Sequence, residues 1–437
     1  MKKENDLRGV FGLLLPEIGR AVSEAGYHTP SPIQEQSIPS LLEGRDMLGC
    51  AQTGTGKTAA CSLPILQHLQ NNRKHPQAGK PRVLILAPTR ELAAQIGDSI
   101  AKYGKYTKAS HTVIFGGVGQ NPQVKAVRRG VDVLVATPGR LIDLMNQGYI
   151  DLSAIEIFVL DEADRMLDMG FIHDIRKVIA KLPKKRQSLF YSATMETKVV
   201  ELARTLVHDP AHVTIEPEKP AVERIGQKVL FVDGKHKDEL IVSIMGSKKL
   251  DRVIVFTQMK HVANKVARKL EGAGISSAAI HGNKSQTART QALADFKAGK
   301  VRALIATDIA ARGIDVDGIS HVINYDMPVE PETYVHRIGR TARAGADGDA
   351  ISFCSAPERD YLRAIEKLIR TAIPVDSKHA LHCERSMNAT GADAKPGPKV
   401  RQNRGKVTVN ASGRAKHTGG KRPPRMHSRR ERSGRHG

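Results

Sequence analysis

The sequence predicts an α/β fold: two tandem domains, each a parallel sheet flanked by helices, followed by a basic C-terminal tail that builds no core. Three observations predict it. Short continuous runs of β-branched and aliphatic residues recur, each followed by Gly, Pro, Thr or Asp and then by a helical pattern. That is how strands buried on both faces of a parallel sheet read. Twelve such runs exceed a comfortable single sheet, so the chain divides. Near Ser377 the hydrophobic pattern stops.

In the first half the predicted strands are Met47–Cys50, Val83–Ala87, Thr112–Phe115, Val131–Ala136, Ile155–Leu160 and Ser188–Tyr191. In the second they are Val229–Val232, Val253–Phe256, Ser277–Ile280, Ala303–Ala306, His321–Asn324 and Ala350–Cys354. Between the halves, Asp209–Val222 holds Pro210, Pro217 and Pro220 among charged residues and lacks apolar periodicity. The first domain is therefore placed at 1–212, a linker at 213–222, the second domain at 223–376 and the tail at 377–437. A helix over Glu358–Arg370 closes the second domain: Tyr361, Leu362, Ile365, Leu368 and Ile369 fall at helical spacing, and Pro374 follows.

Composition narrows the function classes. Of the 437 residues, 40% are hydrophobic and 26% charged, as in a globular protein. No run approaches the ~18 apolar residues of a membrane span. The run Val10–Leu15 is broken by Gly12 and is too brief for a signal-peptide core. Cys50, Cys61, Cys354 and Cys383 show no CxxC spacing, which argues against a zinc site or disulfide framework and points to a reducing cytoplasm. The net charge is +23, and the tail alone carries 16 Lys+Arg against 3 Asp+Glu. Rich in Gly, Pro, Asn and Ser as well, it reads as a disordered arm. Such an arm either keeps the chain soluble or binds a polyanion.

Open α/β sheets bind ligands at the carboxyl ends of their strands. After Met47–Cys50 comes Ala51-Gln52-Thr53-Gly54-Thr55-Gly56-Lys57-Thr58 and then a helix, a P-loop with Ala at its first position. Its glycines let backbone N–H groups curl around phosphate oxygens, Lys57 is placed for the β/γ-phosphates of ATP, and the Thr58 hydroxyl for Mg²⁺. After Ile155–Leu160 comes Asp161-Glu162-Ala163-Asp164. An Asp ending a hydrophobic strand completes the P-loop arrangement by holding Mg²⁺. Glu162 is then placed to orient or deprotonate an attacking water.

Asp-Glu-Ala-Asp resembles the motif that names the DEAD-box RNA helicases, and further motifs resembling that family follow in order from about Phe11 to Pro374. Gly26-Tyr27-His28-Thr29-Pro30-Ser31-Pro32-Ile33-Gln34 resembles the Q motif, with Ser31 in place of the usual Thr. There Gln34 offers a donor and an acceptor to the adenine edge and Tyr27 a face for stacking. Phe11 stands near the place of the family's upstream aromatic, slightly closer to Gly26 than is usual. Pro88-Thr89-Arg90, Gly116-Gly117 and Thr137-Pro138-Gly139-Arg140 look like RNA-backbone contacts, and Ser192-Ala193-Thr194 like the segment coupling hydrolysis to unwinding.

In the second half, Val255-Phe256-Thr257 and His281–Gln286 resemble RNA-side motifs, with Gln286 as the contact. The run Thr307-Asp308-Ile309-Ala310-Ala311-Arg312-Gly313-Ile314-Asp315 resembles a segment touching both RNA and nucleotide. By that resemblance Thr307, Asp308, Arg312 and Gly313 meet RNA and Asp315 the ribose. His336-Arg337-Ile338-Gly339-Arg340-Thr341-Ala342-Arg343 resembles the arginine-finger motif, with Ala342 where many members have Gly. Arg340 and Arg343, three apart, are expected on one helix face reaching a γ-phosphate, and His336 is assigned to coupling.

The resemblance implies two RecA-like domains that close on ATP and RNA together, with local strand separation and largely sequence-independent RNA binding through backbone contacts. The short N-terminal extension, compact core and basic tail resemble bacterial RhlE-type members, whose settings would be pre-ribosomal particles or RNA turnover. On this reading the tail contacts RNA, and deletion from about Ala389 weakens RNA binding more than hydrolysis. Two other readings share parts of this pattern. A DNA helicase or translocase would carry the same ATP site but not the Q motif or this form of the acidic box. A non-catalytic RNA clamp would require loss of Lys57, Asp161, Glu162, Arg340 or Arg343, all of which are present.

Overall fold

A computed structural model of the chain describes residues 7–51, 54–215, 225–247, 250–311, 316, 318–342 and 348–394. It contains two parallel-sheet α/β domains. The first sheet orders its strands β3-β4-β2-β5-β6-β1-β7, from β1 (Met47–Cys50), β2 (Val83–Leu86), β3 (His111–Ile114), β4 (Val133–Ala136), β5 (Ile157–Leu160), β6 (Gln187–Ser192) and β7 (Ala211–Thr214). The second orders β10-β11-β9-β12-β13-β8, from β8 (Ile225–Phe231), β9 (Val253–Phe256), β10 (Ser277–Ile280), β11 (Ala303–Ala306), β12 (His321–Asn324) and β13 (Gly348–Cys354). Strand for strand the two orders coincide, with β8 standing where β1 does, β9 where β2 does and β12 where β5 does. β7 is an addition to the first sheet.

Central strands are apolar on both faces because helices cover both. Val83, Leu84, Ile85 and Leu86 of β2 are all at 0% exposure, and their side chains alternate between separate cores on the sheet's two sides. All pairings within the sheets are parallel, so every loop at the strands' carboxyl ends lies on one edge of its sheet.

Two boundaries differ from the sequence reading. The linker placed at 213–222 begins inside β7, whose last two residues it takes in; β7 pairs with β1 in register Met47–Ala211 to Cys50–Thr214. Only Val213 of this edge strand is buried, so no hydrophobic run announced it. The rest of the predicted linker, from 216, lies outside the described residues.

The second correction concerns residues 377–394, assigned to the tail. They pack on the second domain. Val375 bridges Val229 of the edge strand β8, the Cys383 N–H donates to the Phe231 carbonyl at 3.0 Å, and the Ser386 hydroxyl donates to the Val232 carbonyl at 3.1 Å. Helix α15 (Arg359–Ile369), matching the expected closing helix, holds the strap through Arg359 Nε to the Met387 carbonyl and Arg363 Nη2 to the Ala389 carbonyl. Hydrogen bonds to backbone carbonyls and scattered apolar contacts of Leu381 and Met387 hold this segment, so no regular hydrophobicity pattern reveals it. A truncation that spares the fold therefore begins at 395, not at Ala389.

Below the first sheet, Glu156 joins Arg82, Lys74 and His68 at 2.6–3.0 Å. Despite partial burial, these partners hold its carboxyl down at about 2. A carboxyl depressed in the fold stabilises it above the unfolded pKa and loses that contribution as pH falls through the folded one. Glu156→Gln is expected to cost about 1–3 kcal/mol at pH 7, and the deficit to vanish between pH 4.5 and about 2. Urea unfolding of both proteins across that range checks it. A deficit constant with pH would show that packing, not charge, is responsible.

Candidate nucleotide and RNA site

The phosphate loop is tied to the segment read as the Q motif. α2 (Pro32–Leu42) begins after Ser31, whose N–H donates to Gln34 Oε1 at 2.9 Å. The Ser31 hydroxyl donates to the Thr55 carbonyl at 2.7 Å, and Gln34 Nε2 to the Gly56 carbonyl at 3.2 Å. Gly56 has φ +98, and a Cβ there would lie 2.6 Å from Gln34 Nε2, so both backbone and space require glycine. Gln34 thus holds the loop as well as facing a ligand, with one amide hydrogen left over.

Lys57 opens α3 (Lys57–Asn71), is 7% exposed, and donates only to the Ala51 carbonyl, at 2.7 Å. It makes no ion pair among the described residues, and its charge acts on the buried Asp161 carboxyl. Thr58 follows it, half-buried, in the helix's first turn, and Gly54 precedes it with φ +86. Gln52 and Thr53 lie outside the described residues. Tyr27 is 45% exposed, with its ring 6.3 Å from that of Tyr103 and the Lys102 ammonium 5.0 Å over it. Phe11 is 1% exposed and packs in one core of the first domain.

At the end of β5, Asp161 and Glu162 are 6% and 4% exposed. Burial pushes the Asp161 carboxyl up to about 6; Lys57 opposes the rise and the carboxylates of Glu162 and Asp164 add to it. Glu162 leads into α7 (Ala163–Asp168) with φ 53, and its Oε2 accepts from Arg165 Nη1 at 2.7 Å. Asp164 Oδ2 accepts from the N–H groups of Ala193 and Thr194, each at 3.0 Å, and from the Thr194 hydroxyl at 3.4 Å. The acidic box is thereby fastened to the segment after β6, where Ser192 is fully buried. This link was not read from the sequence.

Across the cleft, Arg165 and Asp168 of the first domain face His336, Arg337 and Arg340 of the second. Burial, Arg165 and Arg340 push the His336 imidazole below its ordinary value, against a smaller pull from Asp164 and Asp168. α14 (Pro331–Ile338) ends before Arg340, because Gly339 caps it and Ala342 turns with φ 53. The expected shared helix face for Arg340 and Arg343 is therefore not formed. Arg340, 5% exposed, sits in the turn with Nε donating to the His336 carbonyl at 3.2 Å, and Arg343 lies outside the described residues.

Arg337, which the sequence reading did not single out, is 1% exposed. It grips Asp308 with Nε at 2.6 Å and Nη2 at 2.8 Å, while Nη1 reaches Asn324 Oδ1 and the Asp326 carbonyl. Asp308, expected at RNA, is paired with Arg337 and keeps its side chain 28% exposed. Thr307 precedes it, 8% exposed. Arg312, Gly313 and Asp315 lie outside the described residues.

The loops after β2, β3 and β4 form the other wall. Following Pro88, Thr89 caps α4 (Arg90–Tyr103), its Oγ1 accepting from the Leu92 N–H at 3.2 Å. Gly116 and Gly117 follow β3; Gly117 has φ +75, and a Cβ on it would overlap the Arg90 guanidinium. Thr137 precedes α6 (Pro138–Asn146). Gly139 there faces open space, and Arg140 Nη2 donates to the Val118 carbonyl at 3.2 Å. The wall reaches the second domain directly: Arg90 Nη1 donates to Gln286 Oε1 at 3.2 Å, and Glu91 Oε1 takes Arg289 Nη2 at 2.7 Å and Gln286 Nε2 at 3.3 Å. Glu91 and Arg289 were missed as a pair. They belong to motifs nearly 200 residues apart, which only folding brings together.

Fold and site define the class: two α/β domains around one cleft, with a phosphate loop and buried acidic pair on one and arginines on the other, as in a nucleotide-driven switch. Residues 31–202 match the DEAD/DEAH box helicase family and residues 236–345 the helicase conserved C-terminal domain. Over 365 residues, 83% of this chain, it is 43% identical to the ATP-dependent RNA helicase DeaD of Escherichia coli K12. The match spans 57% of that protein, less than two thirds of its length. It is 45% identical to the ATP-dependent RNA helicase DBP2 of Candida albicans over 76% of this chain and 60% of that one. Saccharomyces cerevisiae Dbp5, solved bound to RNA and ADP BeF3, superposes with a TM-score of 0.74 at 33% identity, over 84% of this chain and 95% of that one. The chain belongs to the DEAD/DEAH box helicase family.

Proposed function

We propose that this chain is an ATP-dependent RNA helicase whose two domains bind ATP in the cleft and RNA along the wall of loops. The observation that carries the reading is the division of the site: Lys57, Asp161 and Glu162 are buried on one domain, and Arg165, which holds Glu162, faces His336 and Arg340 on the other across the cleft. A γ-phosphate between them would favour closure, and its loss would release it, since a ligand shifts such an equilibrium by its differential affinity for the two states. RNA touching Arg90, Gly117, Gly139 and Gln286 would bridge the same two domains and so be linked reciprocally to ATP. That Dbp5 holds both RNA and a nucleotide analogue supports this. The contacts are backbone-directed, which favours sequence-independent binding and local strand separation.

Mg²⁺ fits the donor set. The hard oxygens of Thr58 and Asp161 lie beside the phosphate loop, no cage of three His, Cys, Asp or Glu exists among the described residues, and Mg²⁺ typically takes few protein ligands plus phosphates. Bound there, the ion would neutralise phosphate charge and draw Asp161 to its ionised form. Glu162, freed from Arg165, would orient the water. Residues Gln52, Thr53, Asp315, Arg312, Gly313 and Arg343 belong to this proposal through their motifs. The subtype we propose is RhlE-like, cytoplasmic, acting on pre-ribosomal particles or in RNA turnover. Among the described residues no helix is long and apolar enough to cross a membrane.

The test is ATP hydrolysis by the purified chain with and without single-stranded RNA, and with DNA of the same sequence. RNA alone is expected to stimulate, and Glu162→Gln to lower kcat by roughly 10²–10⁴-fold. Equal stimulation by DNA would favour the translocase reading, and none by either the clamp. Deleting residues 395–437 is expected to raise the Kd for RNA at least several-fold at 0.15 M salt while kcat at saturating RNA stays within about twofold, because an arginine-rich arm acts through phosphates. Unchanged affinity in a filter-binding titration would remove the tail from the RNA site.

A further inference from the structure

The second domain carries a filled counterpart of the phosphate site. β8 stands where β1 does, and α10 (Lys237–Met245) follows it with a lysine at its first position, as α3 does with Lys57. Asp326 is the second residue after β12, where Asp161 is the first after β5. The two lysines differ in what surrounds them. Gly54 and Gly56 lie in the left-handed region, whereas Gly234, in the corresponding loop, does not, so no phosphate cradle forms there. Lys57 meets one carbonyl; Lys237, 4% exposed, meets carboxylates. Its Nζ donates to Glu358 Oε1 and Oε2 at 2.8 and 2.7 Å and to Asp326 Oδ1 at 3.3 Å.

The carboxylates carry this order outward. Glu358 also accepts from the N–H groups of Met327 and Ser355 and from the Ser355 hydroxyl at 2.6–3.1 Å. Asp326 Oδ2 accepts from the Gln258 N–H at 2.9 Å, fixing the loop after β9, and its carbonyl accepts from Arg337 Nη1 at 2.7 Å. Arg337 in turn grips Asp308 and lies between His336 and Arg340. One chain of hydrogen bonds therefore runs from Lys237 to the cleft and to the loops beginning at Thr257 and Thr307.

We propose that Lys237 is a positioning residue: within the second domain the Glu358 carboxylate gives its ammonium the anion that a ligand's phosphate would give Lys57 in the first, and the pair holds His336 and Arg340 at the angle the cleft needs. A single removal leaves Glu358 and Asp326 buried and uncompensated, which unfolds proteins for trivial reasons. The informative variant is therefore Lys237→Met with Glu358→Gln, which removes the closer, more buried pair and leaves only Asp326, whose side chain is 18% exposed. The inference rests on the ATPase reading, so the parent chain is assayed first; no RNA-stimulated hydrolysis by the parent counts against that reading.

The double variant is expected to fold, to keep the KM for ATP within about twofold because the phosphate loop is on the other domain, and to lose at least tenfold in kcat at saturating RNA. Lys237→Arg is expected to retain most of the kcat. Hydrogen exchange supplies a readout independent of hydrolysis: the Gln258 and Met327 amides exchange at least tenfold faster in the double variant while the Val255 amide, in the middle of β9, does not. A double variant that does not fold, or that folds with the parent's kcat and the parent's exchange at Gln258, overturns the proposal.

Discussion

Arg340→Ala is expected to slow RNA-stimulated ATP hydrolysis by on the order of 10³-fold, measured as kcat at saturating ATP and RNA. Arg340 is almost fully buried, is anchored through Nε to its own turn, and lines the cleft opposite Arg165 and Asp168. A guanidinium presented from the second domain meets transition-state charge only when the domains close, so its loss falls on kcat rather than on ATP binding to the first domain. Arg340→Lys is expected to recover little, since an ammonium lacks the planar fork. A loss below about tenfold would remove Arg340 from the reaction and leave Arg343 as the finger.

Arg337→Ala is expected to fail differently. Its guanidinium donates to Asp308 twice, to Asn324 and to the Asp326 carbonyl, and it sits 5.1 Å from the Phe256 ring centre. Truncation removes a fully buried side chain and leaves polar partners without donors, a cost of about 3–5 kcal/mol. Asp308, 28% exposed, can regain some hydration, which favours the lower end. Urea unfolding of the second domain measures it, and a loss under about 1 kcal/mol would show that water replaces the guanidinium. With both outcomes as expected, two arginines three residues apart in one motif would have separable roles, one in chemistry and one in the fold.

The strands were legible because a parallel strand covered on both faces must be apolar throughout, and β2, β4, β5, β9 and β11 are buried along their whole length. β7 was not, because an edge strand needs only one buried side chain, and the strap over 377–394 was not, because hydrogen bonds to backbone carbonyls and scattered apolar contacts leave no regular pattern. In the site, Lys57, Asp161 and Glu162 were legible from their places after strands. The turn carrying Arg340 was not, because α14 ends at Ile338, capped by Gly339, where the motif's spacing alone suggests continuation.

The sequence by itself determined the α/β class, the division into two sheets, and which loops bear chemistry: period, run length and the strand-to-loop rule are local properties. Only the tertiary structure decided that Gln34 holds the phosphate loop, that Asp164 fastens the 193–194 backbone, that Glu91 meets Arg289 across the cleft, and that Asp308 and Asp326 serve Arg337 and Lys237. Those partners are 22 to nearly 200 residues apart. A buried charge takes its partner from whatever the fold brings within about 3 Å, and chain spacing holds no record of that choice.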